Sequence, residues 1–197
     1  MLRRILPIGD PSLRRLAQPT SKYPGDLKVL AEDMVETMRA HDGVGLAAPQ
    51  VGVATALIVI EVPEPADPES ESTRLYILRD PVIEELAEFE SMREGCLSLP
   101  GYFGYPTRAK RARARALDLY GRPVELEAEG LLAQALQHEI DHLRGILFTD
   151  RVGSLHLVRA EPVPEPAHAD GEGSAIPAKV TGFQGTDRVR SAPRPNR

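Results

Sequence analysis

The chain has 197 residues, 42% hydrophobic and 27% charged, enough for one globular domain with a tail and short for two full domains. A net charge of -5 argues against a surface built to hold nucleic acid or anionic lipid, and no apolar run reaches membrane-spanning length, so neither specific DNA binding nor a membrane partner is expected. One cysteine excludes an intrachain disulfide and leaves that thiol as core residue, ligand or nucleophile.

At the start of the chain, Arg3 and Arg4 precede only Ile5, Leu6, Pro7 and Ile8 before Gly9 and Asp10, too short an apolar stretch for a signal peptide, so a cytoplasmic location is expected. Asp26 then reads as the N-cap of a helix in which Leu27, Leu30, Met34 and Met38 recur three and four apart, ending near Gly43. Strands are predicted over residues 54–60, 74–78, 82–90, 111–120 and 124–129, the last two joined by Tyr120-Gly121-Arg122-Pro123. The acidic, Pro-rich segment 61–72 between the first two strands reads as a long solvent-facing loop.

A closing helix is predicted over residues 131–144, stopped by Gly145, which can take a left-handed conformation without steric cost. Leu131, Leu132, Ala135, Leu136, Ile140 and Leu143 surround most of its circumference, so it should be buried among the strands. Beyond it, residues 160–197 are rich in Pro and Gly and poor in aliphatic clusters, and read as a disordered tail on a catalytic domain of residues 1–159. The fold class expected is α+β: mostly antiparallel strands around a buried C-terminal metal-binding helix, with an N-terminal helix.

Within the closing helix, Gln137-His138-Glu139-Ile140-Asp141-His142 contains His-Glu-x-x-His. At about 100° per residue the two histidines fall about 40° apart on one face and one turn apart in height, aimed at a common ion. Glu139 beside them can take a proton from an activated water and return it to a leaving amine. Asp141 is assigned a structural role, pairing with a nearby base or capping a loop. Two ligands leave a divalent ion incomplete, and Cys96, in Arg93-Glu94-Gly95-Cys96-Leu97-Ser98-Leu99-Pro100, can supply the third. A third segment, Gly43-Val44-Gly45-Leu46-Ala47-Ala48-Pro49-Gln50, has two glycines that admit close backbone approach, and Gln50 carries an amide donor suited to a developing oxyanion. The same segment alone equally describes a helix stop followed by a tight packing turn.

Together GVGLAAPQ, EGCLSLP and QHEIDHLRG, in that order, with ILPIGDPSLRRLA before them and LFTDR after, resemble the peptide deformylase family over roughly residues 3–152. The resemblance implies a hydrolase that removes the N-formyl group from the formylmethionine of nascent polypeptides and releases formate. It implies one divalent metal ion on Cys96, His138 and His142, commonly Fe(II), with Zn(II), Ni(II) or Co(II) able to occupy the site. Glu139 takes the acid/base role, Gln50 and the Leu97 backbone amide hold the formyl oxygen, and Gly45 offers backbone contact to the peptide. Val44, Leu131 and Ala135 are assigned to substrate binding. Gln134 is more polar than the methionine pocket of such enzymes leads one to expect.

Two further readings compete. A His-Glu-x-x-His zinc peptidase needs a downstream third ligand, and His156 and His168 are poorly placed to be one. A catalytically inactive, ribosome-associated homologue needs neither Glu139 nor Gln50. The run Arg108, Lys110, Arg111, Arg113 and Arg115 invites contact with ribosomal RNA, but Arg111, Arg113 and Arg115 alternate with Ala112, Ala114 and Ala116, the period of a strand with one solvated face. Transient ribosome contact therefore stays open, while the Pro- and Gly-rich tail does not match relatives that dock through a basic C-terminal helix.

Overall fold

A computed structural model describes residues 1–64 and 72–152, together with the backbone of 158–159. These belong to one unit, Met1–Pro162. The expected tail, most of the expected acidic loop, His156 and His168 lie outside the described residues.

The N-terminal helix α1 spans Leu27–Ala40, and the Asp26 side chain caps it by accepting from the backbone N–H groups of Lys28 and Val29. Its apolar stripe is buried, with Leu30, Ala31, Met34, Val35 and Met38 packed on Leu46, Leu57 and Val59. Each such large side chain contributes about 1.5–3 kcal/mol on burial. Strands β1 (Gly45–Ala47), β2 (Leu57–Pro63) and β3 (Thr73–Ser91) follow, then the short β4 (Glu94–Gly95) and β5 (Tyr102–Gly104), and then β6 (Thr107–Leu117) and β7 (Pro123–Glu129). All pairings between these strands are antiparallel, in a five-stranded sheet ordered β1-β2-β3-β6-β7, with β4 and β5 in a smaller sheet completed by β8 (Val158–Arg159).

Residues 74–78 and 82–90, expected as two strands, form the single strand β3. Asp80-Pro81 reads as a break because proline has no N–H for a ladder. Here the ladder with β6 shifts register between Arg79 and Val82, and the strand passes through the irregularity. Asp80 takes φ +50 there, and its carboxylate accepts from the Thr20 backbone N–H at 2.9 Å and the Thr20 hydroxyl at 2.5 Å. The first strand lies three residues later than expected, and residues 118–120, expected in the fourth strand, belong to its turn. That turn is closed by the Asp118 side chain, which accepts from the N–H groups of Tyr120 and Arg122.

The second helix, α2 (Gly130–Leu143), lies on the face of the sheet opposite α1, and the two neighbouring faces of β2 serve the two helices. Leu57 and Val59 meet α1, while Ile58 and Ile60 meet Leu136 and Ile140 of α2. Ala112, Ala114 and Ala116 of β6 are small enough for α2 to approach closely. Gln137 fastens the two elements: its Oε1 accepts from the Ala109 N–H at 3.0 Å and its Nε2 donates to the Ala109 carbonyl at 2.8 Å. Gly145 ends this region at φ +71, and a Cβ on it would stand 2.4 Å from the Arg14 carbonyl oxygen. A one-turn helix, α3 (Phe148–Arg151), follows.

The arginine row of β6 is a solvated face. Arg111 pairs with Glu88 and Glu129, Arg113 with Glu84 and Glu85, and Arg115 with Glu84, all exposed. Each such pair is worth about 0–1 kcal/mol, and the glutamates offset the charge a phosphate would need. Arg108 departs from the run to which the sequence assigned it: its side chain is 3% exposed and faces inward.

Candidate metal centre

The segment after β4 carries Cys96 past the open face of α2, where His138 and His142 stand one turn apart. Cys96 Sγ lies 3.3 Å from His142 Nε2, which lies 3.2 Å from His138 Nε2. One atom from each residue falls within 4.8 Å of the others, the only such Cys/His/carboxylate group among the described residues. A tetrahedral ion with bonds of about 2.0–2.3 Å to nitrogen and sulfur holds its ligand atoms about 3.3–3.6 Å apart, so these side chains fit one cation. Two neutral imidazoles and a thiolate leave a divalent ion with net positive charge and an open position.

Burial holds His142 well below the ordinary histidine range, in the neutral form a ligand needs. For His138 burial acts in the same direction, but hydrogen bonds to Cys96 and Glu94 outweigh it and raise its pKa well above the ordinary value. A cation on the same face competes with that proton.

Glu139 is 3% exposed, and its Oε2 is buried with no hydrogen-bond partner among the described residues. Burial, reinforced by Glu94 and opposed by His138 and Arg108, pushes its carboxyl up to about 7. The other oxygen, Oε1, rests against Gly45, where a Cβ would approach it to 2.4 Å. Gly43 is similarly filled by the Leu97 side chain, with Cδ1 2.6 Å from a built Cβ. Both glycines therefore let three sequence-distant segments close on one another.

Gln50 is 1% exposed and held by its own segment, its Oε1 accepting from the Ala47 N–H at 2.8 Å. Its Nε2 donates to Ser98 Oγ at 3.2 Å and lies 3.5 Å from Cys96 Sγ. A cleft of about 470 Å³ opens from this point, lined by Val44, Gly45, Gln50, Cys96, Leu97, Leu131, Ala135, His138 and Glu139. His142 sits behind it, 1% exposed. Val44 and Leu131 are half exposed at the rim, while Ala135 is buried. Gln134 also lines the cleft, and its Nε2 donates to the Arg93 carbonyl at 2.7 Å, which accounts for its polarity.

Sequence reasoning missed Glu94 and the inward course of Arg108. Glu94 Oε1 lies 2.7 Å from His138 Nδ1, and both its oxygens accept from Arg108. Burial would raise the Glu94 carboxyl, but Arg108 and His138 hold it at about 2. Asp141 has the structural role expected of it, pairing with Arg108 at 2.6 Å and with Arg151 at 2.6 Å.

The described geometry has close counterparts. Residues 2–157 match the family model described as Polypeptide deformylase. A peptide deformylase of Carboxydothermus hydrogenoformans is 43% identical over 152 residues, 77% of this chain and 94% of that protein. The crystal structure of peptide deformylase from Thermotoga maritima is similar with TM-score 0.69 and 40% identity, covering 78% of this chain and 99% of that one. That of a peptide deformylase from Synechococcus elongatus in complex with actinonin has TM-score 0.70 and 39% identity, covering 78% and 80%.

Proposed function

The chain belongs to the polypeptide deformylase family, and we propose that it acts as follows. It removes the N-formyl group from the N-terminal formylmethionine of nascent polypeptides, releasing formate. The observation that carries the reading is one arrangement: a sulfur and two imidazole nitrogens within 4.8 Å of one another, beside a buried carboxylate raised to about 7 and a buried amide donor.

Cys96, His138 and His142 would hold the cation, which supplies Lewis-acid polarisation of the formyl oxygen and a more acidic water. Glu139 takes a proton from the attacking water and passes it to the departing amine. A carboxyl near 7 suits both halves of that exchange at neutral pH. Gln50 Nε2, fixed from behind by the Oε1 bond to Ala47, donates to the oxygen on which charge develops, and the Leu97 backbone N–H provides a second donor. Because Gln50 is already oriented, it loses little freedom as the transition state forms. Gly45 gives the peptide backbone access to the site, and Val44, Leu131 and Ala135 offer apolar surface to the methionine side chain.

Imidazole and thiolate suit several first-row ions, and Fe(II) is the resident we assign, with Zn(II), Ni(II) and Co(II) as alternative occupants. The catalytic domain is residues 1–159, and the protein works in the cytoplasm, where formylated chains emerge from ribosomes. No helix among the described residues is long and apolar enough to cross a membrane.

The test is formate release from a formyl-methionyl peptide by oxygen-free protein, repeated with Glu139→Gln. The parent releases formate, and the variant retains metal with activity reduced by at least 10²-fold. Cleavage of internal peptide bonds would instead support the zinc peptidase. A metal-loaded parent without activity would support the inactive homologue.

A further inference from the structure

Behind the cation site three charged side chains are almost wholly buried: Arg108 (3% exposed), Glu94 (4%) and Asp141 (6%), and of these Glu94 alone borders the cleft. Removing such groups from water is costly unless every charge is paired, and here the pairing is complete. Arg108 donates from Nε and Nη2 to the two oxygens of Glu94, at 2.8 and 2.7 Å, and from Nη1 to Asp141 Oδ2 at 2.6 Å. Arg151 adds two bonds to Asp141, at 3.0 and 2.6 Å. Glu94 Oε1 meets His138 Nδ1 at 2.7 Å.

The chain positions give this network its meaning. Glu94 precedes Cys96 by two residues, and Asp141 directly precedes His142 on α2. One guanidinium on β6 therefore ties the segment that brings the sulfur to the helix that brings both nitrogens. A neutral imidazole carries one N–H, and an ionised carboxylate only accepts, so the nitrogen facing Glu94 is the one that bears the proton. Once a cation displaces the second proton, His138 Nε2 is the nitrogen that offers its lone pair, and it lies on the side facing His142 Nε2.

We propose that Glu94 and Arg108 are positioning residues for the metal centre: Glu94 fixes the tautomer and ring orientation of His138, and Arg108 sets the spacing at which Cys96 meets the helix ligands. A lysine cannot replace Arg108, because the role needs a planar fork that reaches two carboxylates at once. The inference rests on reading Cys96, His138 and His142 as metal ligands, and its test is a binding measurement as well as a rate.

Glu94→Gln and Arg108→Lys proteins, stripped of metal, are titrated with Co(II) against a competing chelator, with far-UV circular dichroism as the check on folding. Each variant is expected to keep its fold, to bind Co(II) 10–100-fold more weakly than the parent and to show altered cobalt–thiolate absorption. In the loaded enzymes kcat falls while KM changes less than about threefold, since Arg108 does not line the cleft and both Glu94 oxygens are already bonded to Arg108 and His138. Cobalt affinity within about threefold of the parent and an unchanged spectrum, even with a lowered unfolding midpoint, would reduce both residues to structural ion pairs.

Should a variant not fold, histidine nitrogen NMR of the unaltered zinc-loaded protein decides. A protected proton on His138 Nδ1 supports the proposal, and a proton on Nε2 overturns it. A parent that binds cobalt without releasing formate leaves this inference standing and sinks the activity, whereas a parent that binds no cobalt sinks both.

Discussion

Gly45→Ala acts directly on the placement of the general base. A Cβ on residue 45 would stand 2.4 Å from Glu139 Oε1, 2.9 Å from Cδ and 3.0 Å from Cγ. Ordinary contacts of a Cβ begin near 3.4 Å, so the carboxylate has to retreat by about 0.6–1.0 Å. A displacement of about 1 Å in a reacting group can cost on the order of 10²-fold in rate, and overpacking of this kind costs about 1–3 kcal/mol of stability. Gly45 has no positive φ, so the backbone itself accepts alanine, and any loss of peptide access at this cleft residue is read separately in KM. Steady-state formate release should therefore show kcat lowered about 100-fold with metal content unchanged. In a Glu139→Gln background the same substitution should cost almost nothing further, because the group it displaces has already lost its function. A Gly45→Ala enzyme with kcat within threefold of the parent, or an equal loss of kcat at saturating peptide in both backgrounds, would refute the assignment of Glu139 as the base.

Gln50→Ala should lower kcat by about 10²–10³-fold with a smaller change in KM, read in the same assay, because it removes a preorganised donor. The Glu139 carboxyl, raised to about 7 from an ordinary 4.5, stays neutral in the fold only below about 7, so its contribution to stability is present below about 4.5 and is lost as pH rises through about 7. In urea unfolding of chelator-treated protein, Glu139→Gln should accordingly match the parent at pH 4 and exceed it at pH 8 by up to about 3 kcal/mol, and equal stability at both would contradict the shift. Gly145→Ala combines φ +71 with a Cβ 2.4 Å from the Arg14 carbonyl, and differential scanning calorimetry should show a loss of about 2 kcal/mol or more, several degrees in Tm.

What the chain disclosed in advance follows the range of each interaction. Asp26 and the spacing of Leu30, Met34 and Met38 are local signals, and α1 begins where they place it. His138 and His142 declare their shared face through the helical period alone. Cys96 was reachable by elimination, being the single thiol available to complete the set. The break expected at Asp80-Pro81 failed because proline's local rule was overridden by a register shift, together with the bonds Asp80 makes to Thr20, 60 residues away.

Arg108 was misplaced for a related reason. Its neighbours Arg111, Arg113 and Arg115 obey the alternation of a solvated face, and nothing local marks the one arginine whose partners, Glu94 and Asp141, lie 14 and 33 residues off. Glu94 carried one usable hint, a charged residue two positions from a ligand on a short segment, but its partner His138 is 44 residues away. The glycines of residues 43–50 were read for what they open to a ligand. In the fold they also make room for Leu97 and Glu139, a requirement visible only once the three segments meet.

X-ray absorption at the metal edge of protein purified without oxygen tests the shared cation most directly. One ion per chain, with a single sulfur scatterer at about 2.3 Å and two imidazole nitrogens at about 2.0–2.1 Å, is the result predicted. A shell of nitrogen and oxygen alone, or a spectrum unchanged by Cys96→Ser, would contradict it.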